Sequence, residues 1–234
     1  MHIKRYLFTA FALFTLVGLA SAEQVCTESE YKGRTIKKCR DTGAPGGGPS
    51  TDSFTDPRDG QTYKTVKIGD QIWMAENLNY KTDDSYCYDD EPANCRKYGR
   101  LYTWDAAMYA CPSGWHLPSK AEFETLLERT GEFVEEAEGV EVYSSGRSLK
   151  STSGWNKSGN GTDVYGFSAL PAGYRIDVGD FDDAGSYAYF WSATESNSDS
   201  AYYMYLYYDI DGATLSYDGK YFARSVRCLR DSRL

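Results

Sequence analysis

The chain has 234 residues, and its 34 aspartates and glutamates outnumber its 25 lysines and arginines, which gives a formal net charge of −9. This length is enough for one sizeable core with an appendage. Because the negative charge repels polyanions, we expect no nucleic-acid partner and favour neutral polymers or proteins.

The N-terminal residues have the pattern of a signal peptide. Lys4 and Arg5 precede an apolar run over residues 7–19, and small residues at positions 20 and 22 form a signal-peptidase site. The run is short for a membrane span, and no later segment has the roughly 20 apolar residues that a span requires. We therefore expect residues 1–22 to be removed, and the protein to be secreted or held at the cell surface without membrane insertion.

The cysteines predict disulfides rather than a metal site. They form an even set, and export places them where disulfides persist. Zinc is disfavoured because the chain has no C-x-x-C pair and keeps one histidine, His116, after signal removal. We predict three bridges and no cofactor, with the six cysteines being Cys26, Cys39, Cys87, Cys95, Cys111 and Cys228.

Two short segments precede the main domain. Residues 23–42 contain CTESEYKGRTIKKC, which predicts a hairpin closed at its ends by Cys26 and Cys39. Residues 43–53 are rich in glycine and proline without an apolar repeat, which is typical of a flexible tether. We therefore expect the main domain to cover residues 54–231.

The main domain opens with a predicted β-hairpin. Apolar residues flank a turn at Gly69-Asp70, namely Tyr63, Val66, Ile68, Ile72 and Trp73. An aspartate-rich loop follows, in which the short separation of Cys87 and Cys95 suits a local bridge.

Two helices are predicted next, one on each side of Pro112. Thr103 is the predicted cap of the first helix, and Ser119-x-x-Glu122 is a capping box for the second, which is expected to end at Gly131. Each helix has an apolar stripe at helical spacing, formed by Trp104, Ala107, Met108 and Cys111 in the first and by Phe123, Leu126 and Leu127 in the second.

The rest of the chain has the pattern of short antiparallel strands separated by glycine turns, as in YAYFWSATE, AYYMYLYY and YFARSVRCLR. Helices followed by a separate set of strands favour an α+β domain. Cys228 in the last strand is then the distant partner left for Cys111. The chain-entropy model assigns such a bridge about 4 to 5 kcal/mol.

The segment AYYMYLYY predicts a strand with tyrosines on both faces. Tyr203, Tyr205 and Tyr207 share one face, and the aliphatic side chains lie on the other. Tyrosine rings serve as flat platforms for sugars or as anchors at protein interfaces. The alternative is a ladder of cross-strand pairs that only stabilises the sheet.

Trp155 lies in the loop SGWNKSGNG and is a further candidate for a binding residue. An indole among glycine, serine and asparagine has few core partners in sequence, and loops often carry binding residues. In the alternative interpretation, the loop folds back and Trp155 covers the sheet.

Catalytic and metal-binding groups are not indicated. His116 is the only histidine after the signal, and a structural histidine with a backbone hydrogen bond is the favoured interpretation. The acidic loop Asp177–Asp183 has oxygens that suit calcium, but its spacing differs from an EF-hand, and a solvated loop is favoured. We therefore expect no metal and no enzyme activity.

Several motifs in order carry a family resemblance: DGQTYKTVKIGDQIWMAENLNY, CPSGWHLPSKAEF, YGFSALPAGYR, FWSATE and SVRCLRD. Together they resemble the Fibrobacter succinogenes major paralogous (FISUMP) domain over nearly all of residues 54–231. The stretch TWDAAMYACPSGWHLPSKAEFETLL also resembles the C-type lectin-like fold. The resemblance implies an α+β, C-type lectin-like domain with two helices, antiparallel sheets and disulfides, in an exported protein without an assigned activity.

Activities of lectin-like relatives do not transfer to this chain. The sequence lacks the Glu-Pro-Asn and Trp-Asn-Asp motifs that bind calcium and sugar together, because EPAN has an extra residue and Lys157 follows Asn156. The formylglycine-generating enzymes, which share the fold, need two nearby reactive cysteines, and Cys228 has no such neighbour.

These observations favour an exported, non-catalytic module that binds carbohydrate or a cell-surface protein, for example in adhesion. The alternative is a structural or assembly component of the cell envelope. A hydrolase or modifying enzyme is the third and least supported hypothesis.

Overall fold

In a computed structural model of the protein, residues 24–31, 34–41 and 51–232 are described, the first two ranges by their backbone. The chain divides into two compact units, residues 1–47 and 48–234. In the first unit, strands β1 (Gln24–Tyr31) and β2 (Arg34–Asp41) pair antiparallel, with Cys26 opposite Cys39. The predicted signal segment and the predicted Cys26–Cys39 bond lie outside what is described.

The second unit contains a five-stranded sheet in the order β3-β4-β5-β17-β8. Its strands are β3 (Thr51–Thr55), β4 (Thr62–Ile68), β5 (Gln71–Met74), β8 (Trp115–His116) and β17 (Leu229–Arg230). The predicted hairpin at Gly69-Asp70 is β4-β5, and Gly69 has a φ of +60°, which favours glycine. Strand β3 begins inside the segment predicted as a tether.

A ten-stranded sheet follows the path β12-β11-β16-β13-β14-β15-β10-β9, and β6 and β7 extend it beside β16. All of its strand pairs are antiparallel except β13 with β16. Its strands are β6 (Ser85–Tyr86), β7 (Leu101–Thr103), β9 (Phe133–Ala137), β10 (Val140–Tyr143), β11 (Ala172–Arg175), β12 (Phe181–Ala184), β13 (Tyr187–Glu195), β14 (Ser200–Tyr207), β15 (Ala213–Gly219) and β16 (Ala223–Ser225).

The α-helices of residues 51–232 are α1 (Pro92–Tyr98), α2 (Trp104–Ala110), α3 (Lys120–Thr130) and α4 (Gly146–Leu149). Thr103 caps α2, and Ser119 and Glu122 form the predicted capping box of α3, which ends before Gly131. Met108, predicted in the buried stripe, is instead 37% exposed. Within the described residues, no helix has the length and apolar character needed to cross a bilayer.

The predicted α+β, C-type lectin-like fold with two helices is wrong. The protein is mostly β-sheet, with 39% strand and 19% helix, and its helices are short connections between strands of two sheets. The prediction failed because the two helical stripes are strong local signals, whereas strands of two or three residues such as β16 and β17 leave no periodic pattern.

Two disulfides hold the second unit together. Cys87 and Cys95 join the loop before α1 to that helix, and Cys111 after α2 joins Cys228 next to β17, 117 residues away. Both are the bridges predicted from the sequence. The long bridge lies in a buried cluster with Trp104, where it connects a helix end to the last strands.

The interior between the sheets is centred on aromatic rings and one arginine. Trp73, Phe123 and Phe167 are fully buried. The ring centroid of Trp73 lies 5.4 Å from that of Phe123 and 5.7 Å from that of Phe167. Arg227 is also fully buried, and its guanidinium lies 4.5 Å from the Phe167 ring centroid.

All Arg227 hydrogen bonds go to neutral oxygens. Its Nη2 donates to Asn77 Oδ1 at 2.6 Å, its Nη1 to the carbonyls of Met74 and Phe167, and Nη2 also to Ser168 O at 3.3 Å. Burial lowers the pKa of Arg227 to about 9. The side chain thus remains charged at neutral pH and links β5 to the loop before β11.

Candidate functional site

Strands β13 and β14 present tyrosines on the side of the large sheet opposite the main core, and at one end of that side Tyr203 and the buried Trp191 pack in a second cluster. Along both strands, inward residues alternate with outward ones, as expected for a pleated strand. The inward side chains are fully buried and comprise Ala188, Phe190, Met204 and Leu206. The outward side chains are half-buried, and we call them the tyrosine face: Tyr187, Tyr189, Tyr203, Tyr205 and Tyr207.

The rings of the tyrosine face form a continuous strip. The register places Tyr187 opposite Tyr207 and Tyr189 opposite Tyr205. Tyr187 stacks on Tyr207 with centroids 4.4 Å apart and on Tyr189 with centroids 5.3 Å apart, at interplanar angles of 25° and 11°. Tyr203 lies 5.9 Å from Tyr205. The predicted ladder of cross-strand pairs is therefore present, and its rings remain partly open to solvent.

The inner end of the tyrosine face rests on Arg224 of β16. The guanidinium carbon lies 3.8 Å from the Tyr203 ring centroid and 4.3 Å from that of Trp191. Its Nη2 donates to Asp218 Oδ2 at 2.6 Å, whereas Nε and Nη1 have no hydrogen-bond partner among the described residues. Burial lowers the pKa of Arg224. Contacts with the aromatic faces thus replace part of the hydrogen bonding that a buried cation needs.

Asp183 supplies a carboxylate at the edge of the tyrosine face. Its Oδ2 accepts a hydrogen bond from the Tyr189 hydroxyl at 2.8 Å. Burial raises the pKa of Asp183, and burial together with this bond raises the pKa of Tyr189. The edge therefore combines a neutral phenol with a hydrogen-bond acceptor.

At its outer end, the tyrosine face continues into Tyr208. The Tyr207 and Tyr208 centroids are 4.4 Å apart, and Lys157 Nζ donates to the Tyr208 hydroxyl at 3.0 Å. The hydrogen bond with Tyr208 raises the pKa of Tyr207 to about 12, and the bonds with Tyr207 and Lys157 lower that of Tyr208. The three side chains thus form one continuous series of contacts.

A polar cavity of about 290 Å³ opens beside Tyr208. Its wall includes Lys150, whose Nζ donates to the carbonyls of Tyr207 at 3.1 Å, Tyr208 at 3.3 Å and Ile210 at 3.0 Å. Lys150 is 2% exposed, and burial lowers its pKa. Its ammonium group is used to hold the end of β14 rather than to face the cavity as a free charge.

Trp155 is not on the surface. It is 6% exposed within the main core, and its Nε1 donates to Ser151 Oγ at 3.0 Å and to Ala169 O at 3.3 Å. The structure therefore matches the alternative in which the loop folds back. A polar loop gives no local sign of this, because the pocket for the indole comes from residues distant in sequence.

His116 joins three elements through both ring nitrogens. Its Nδ1 lies 2.6 Å from Asp231 Oδ1, and its Nε2 lies 3.0 Å from Glu122 Oε1. The bond with Glu122, followed by that with Asp231, raises the pKa of His116 to about 9, and His116 lowers the pKa of Glu122 to about 2. The predicted structural role is thus supported, with carboxylates rather than backbone as partners.

Residues 176–180 connect β11 and β12 as a hairpin turn, so the predicted acidic loop Asp177–Asp183 ends inside β12. In residues 51–232, no three histidine, cysteine, aspartate or glutamate side chains gather in a way that suits a metal ion. Asp183 instead bonds to Tyr189.

Sequence reasoning identified Tyr203, Tyr205 and Tyr207 but missed Tyr187 and Tyr189, which complete the strip. The alternation in YAYFWSATE carries the same signal as that in AYYMYLYY. The pairing of the two strands, and the position of Arg224 beneath their rings, required the register.

Comparison with known proteins identifies one family. The model of the Fibrobacter succinogenes major domain matches residues 66–230. This range contains both sheets in large part, the tyrosine face and the polar cavity. No curated protein and no solved structure matches the chain.

Proposed function

The chain belongs to the Fibrobacter succinogenes major domain family, and we propose that it is an exported, non-catalytic module that binds a neutral polysaccharide on its tyrosine face. The observation that carries the proposal is the continuous strip of five partly exposed tyrosine rings from two adjacent strands. Tyrosine combines an apolar ring with a polar hydroxyl on one rigid side chain, so the solvent-facing edges and hydroxyls of such a strip can contact the apolar and hydroxyl groups of a sugar chain.

The arrangement of the strip favours an extended ligand. Its rings follow one another at 4.4 to 6.1 Å along two strands, so a chain molecule would contact several of them in succession. The backbone positions are fixed by β13-β14 pairing, and Arg224 supports the inner rings. A platform that is already ordered loses little conformational entropy on binding.

Charge and covalent structure agree with this proposal. The net charge of −9 opposes polyanionic ligands and leaves neutral polymers as the favoured class. The two disulfides of the second unit are typical of proteins in an oxidising compartment. The charge supports a neutral polymer as the ligand, and the disulfides support export of the protein.

A structural or assembly component of the cell envelope is the second candidate, because a half-exposed tyrosine strip also suits a protein interface. In that case, the face would pack against an envelope protein. The two candidates differ in whether the purified protein retains a polysaccharide in the absence of any other protein.

Retention on insoluble cellulose and xylan, together with a glycan array, tests the proposal. We expect the unmutated protein to be retained, and Tyr187→Ala/Tyr207→Ala to bind about tenfold more weakly because a stacked ring pair is lost. Tyr109→Ala is the control, since Tyr109 is 86% exposed on α2 and is not one of the rings of the tyrosine face. Equal retention of all three proteins would contradict a role for the face. Absence of retention by the unmutated protein on every polymer would reject the proposed function in favour of the envelope component.

A further inference from the structure

We infer that the polar cavity beside Tyr208 is a second subsite, which takes one neutral sugar unit of the same polysaccharide chain that lies on the tyrosine face. The inference rests on the proposed function. It also implies that the polysaccharide chain binds in one orientation, because only one end of the strip then offers hydrogen bonds to a sugar unit.

The cavity and the tyrosine face are connected through Tyr208 at the end of β14, whose ring contacts Tyr207 on one side and packs against the main core on the other. Tyr207 is the last ring of the strip, its ring contacts that of Tyr208, and Tyr208 lines the cavity together with Lys157. Lys157 Nζ bonds to the Tyr208 hydroxyl, so the same series of contacts runs from the strip to the cavity wall. A chain leaving Tyr207 at this end would therefore meet the cavity next.

The lining suits hydroxyl groups better than it suits an ion. Asp209 and Asp211 offer carboxylate acceptors, whereas Lys157 and Asn160 offer donors. An anionic sugar would face both carboxylates, and a cation would face Lys157 and Arg147. A neutral sugar hydroxyl both donates and accepts, and so can use both kinds of group.

The other basic groups of the lining are already engaged. Lys150 is held by three backbone carbonyls, and Arg147 lies 3.9 Å from Asp211. Although basic side chains outnumber acidic ones in the wall, we therefore do not expect the cavity to bind an anion. The cavity volume of about 290 Å³ lies near the lower end of the range for ligand pockets, which suits one sugar ring rather than several.

The wall formed by residues 157–161 is held in place by close packing. A Cβ added to Gly159 would lie 2.4 Å from Tyr208 O, and one added to Gly161 would lie 2.2 Å from Lys150 O. Asn160 Oδ1 accepts the backbone N–H of Trp155 at 3.1 Å. Buried Trp155 thus anchors the loop whose polar side chains line the subsite.

Titration calorimetry with a size series of oligosaccharides tests the inference, with cello- or xylo-oligosaccharides chosen to match the retained polymer. The variant is Lys157→Met/Asp209→Asn, which removes one donor and one acceptor from exposed side chains without changing the net charge. The matched control is Lys67→Met/Asp70→Asn, an exposed lysine and aspartate on the smaller sheet. Melting temperatures check that all proteins fold alike.

For the unmutated protein, we expect affinity to rise from the disaccharide to the hexasaccharide as the ligand reaches the cavity. The Lys157→Met/Asp209→Asn variant should bind the hexasaccharide about tenfold more weakly, whereas the control should match the unmutated protein. Equal hexasaccharide affinity in all three would overturn the subsite and leave binding on the tyrosine face intact. Failure of the unmutated protein to bind any member of the series would overturn both.

Discussion

Arg224 and Arg227 are three positions apart and both buried, yet they belong to regions of opposite character. Arg227, in the interior between the sheets, has each of its donor groups paired with neutral oxygens of Asn77 and backbone carbonyls. Arg224, beneath the tyrosine face, has one carboxylate partner, Asp218, and two nitrogens without partners among the described residues. The same residue type therefore completes a polar network in one region and supports aromatic rings in the other.

The difference indicates which region the fold depends on. Burying a charged group costs free energy unless hydrogen bonds replace its hydration. Hydrogen bonds replace nearly all of the hydration that Arg227 loses on burial, so we infer that the interior region stabilises the fold. Around Arg224 this replacement is partial, and aromatic contacts with Tyr203 and Trp191 supply the rest.

Removal of the Cys111–Cys228 bridge, next to Arg227 in sequence, should have the largest effect on stability. The bridge closes a separation of 117 residues, and the double variant Cys111→Ala/Cys228→Ala should lose about 4 to 5 kcal/mol of unfolding free energy. The control is Cys87→Ala/Cys95→Ala, whose separation of 8 residues predicts a loss of about 2 to 3 kcal/mol. Urea unfolding measures both. A larger loss in the control would contradict the dependence of the stabilisation on loop length.

Arg227→Met should reduce the unfolding free energy by about 3 to 5 kcal/mol. The substitution leaves Asn77 Oδ1 and the carbonyls of Met74, Phe167 and Ser168 without their donor in a fully buried position. Urea unfolding at neutral pH is the measurement. A loss below about 1 kcal/mol would mean that these oxygens find other partners.

Arg224→Met should cost much less, about 1 kcal/mol, because an apolar side chain of similar length replaces a cation whose hydrogen bonding was incomplete. The expected consequence lies instead in Tyr203, whose ring loses its contact with the cation at 3.8 Å. For each kcal/mol of unfolding free energy lost, the near-ultraviolet circular dichroism of the tyrosines should change more in Arg224→Met than in Arg227→Met. A cost equal to that of Arg227→Met would remove the distinction between the two regions.

The sequence predicted those features that depend on neighbouring residues. The capping box at Ser119 and Glu122 and the end of α3 before Gly131 are local hydrogen-bond and dihedral effects, and both are present. The bridges Cys87–Cys95 and Cys111–Cys228 followed from separation and elimination. Local patterns were enough for the helix ends and the Cys87–Cys95 bridge, whereas the Cys111–Cys228 bridge, over a separation of 117 residues, was assigned by elimination.

Features that depend on strand pairing were not predictable in the same way. The alternation of Tyr203 and Tyr205 gave one strand of the tyrosine face, but only the register shows that Tyr187 and Tyr189 lie opposite. The burial of Trp155 depends on Ala169 and Ser151 packing around it. The lectin-like fold class was wrong for a related reason, since two clear helical stripes outweighed many short strands whose pairing leaves no local signal.

The smallest expected effect concerns the charges around His116, which, unlike both arginines, are partly exposed to solvent. Its pKa of about 9 in the folded protein lies above the ordinary value of 6.5, so the stabilisation is complete below about pH 6.5 and is lost as the pH rises through 9. The lowered pKa of Glu122, about 2, gives stabilisation that is present above its ordinary value of 4.5 and is lost as the pH falls toward 2.

The melting temperature of the unmutated protein should therefore fall between pH 6.5 and 9 relative to that of His116→Gln, and the two curves should converge at the alkaline end. Because Arg227 is unchanged in both proteins, its own titration cancels in the difference. A constant difference over this range would show that His116 acts through packing alone rather than through its charged contacts with Glu122 and Asp231.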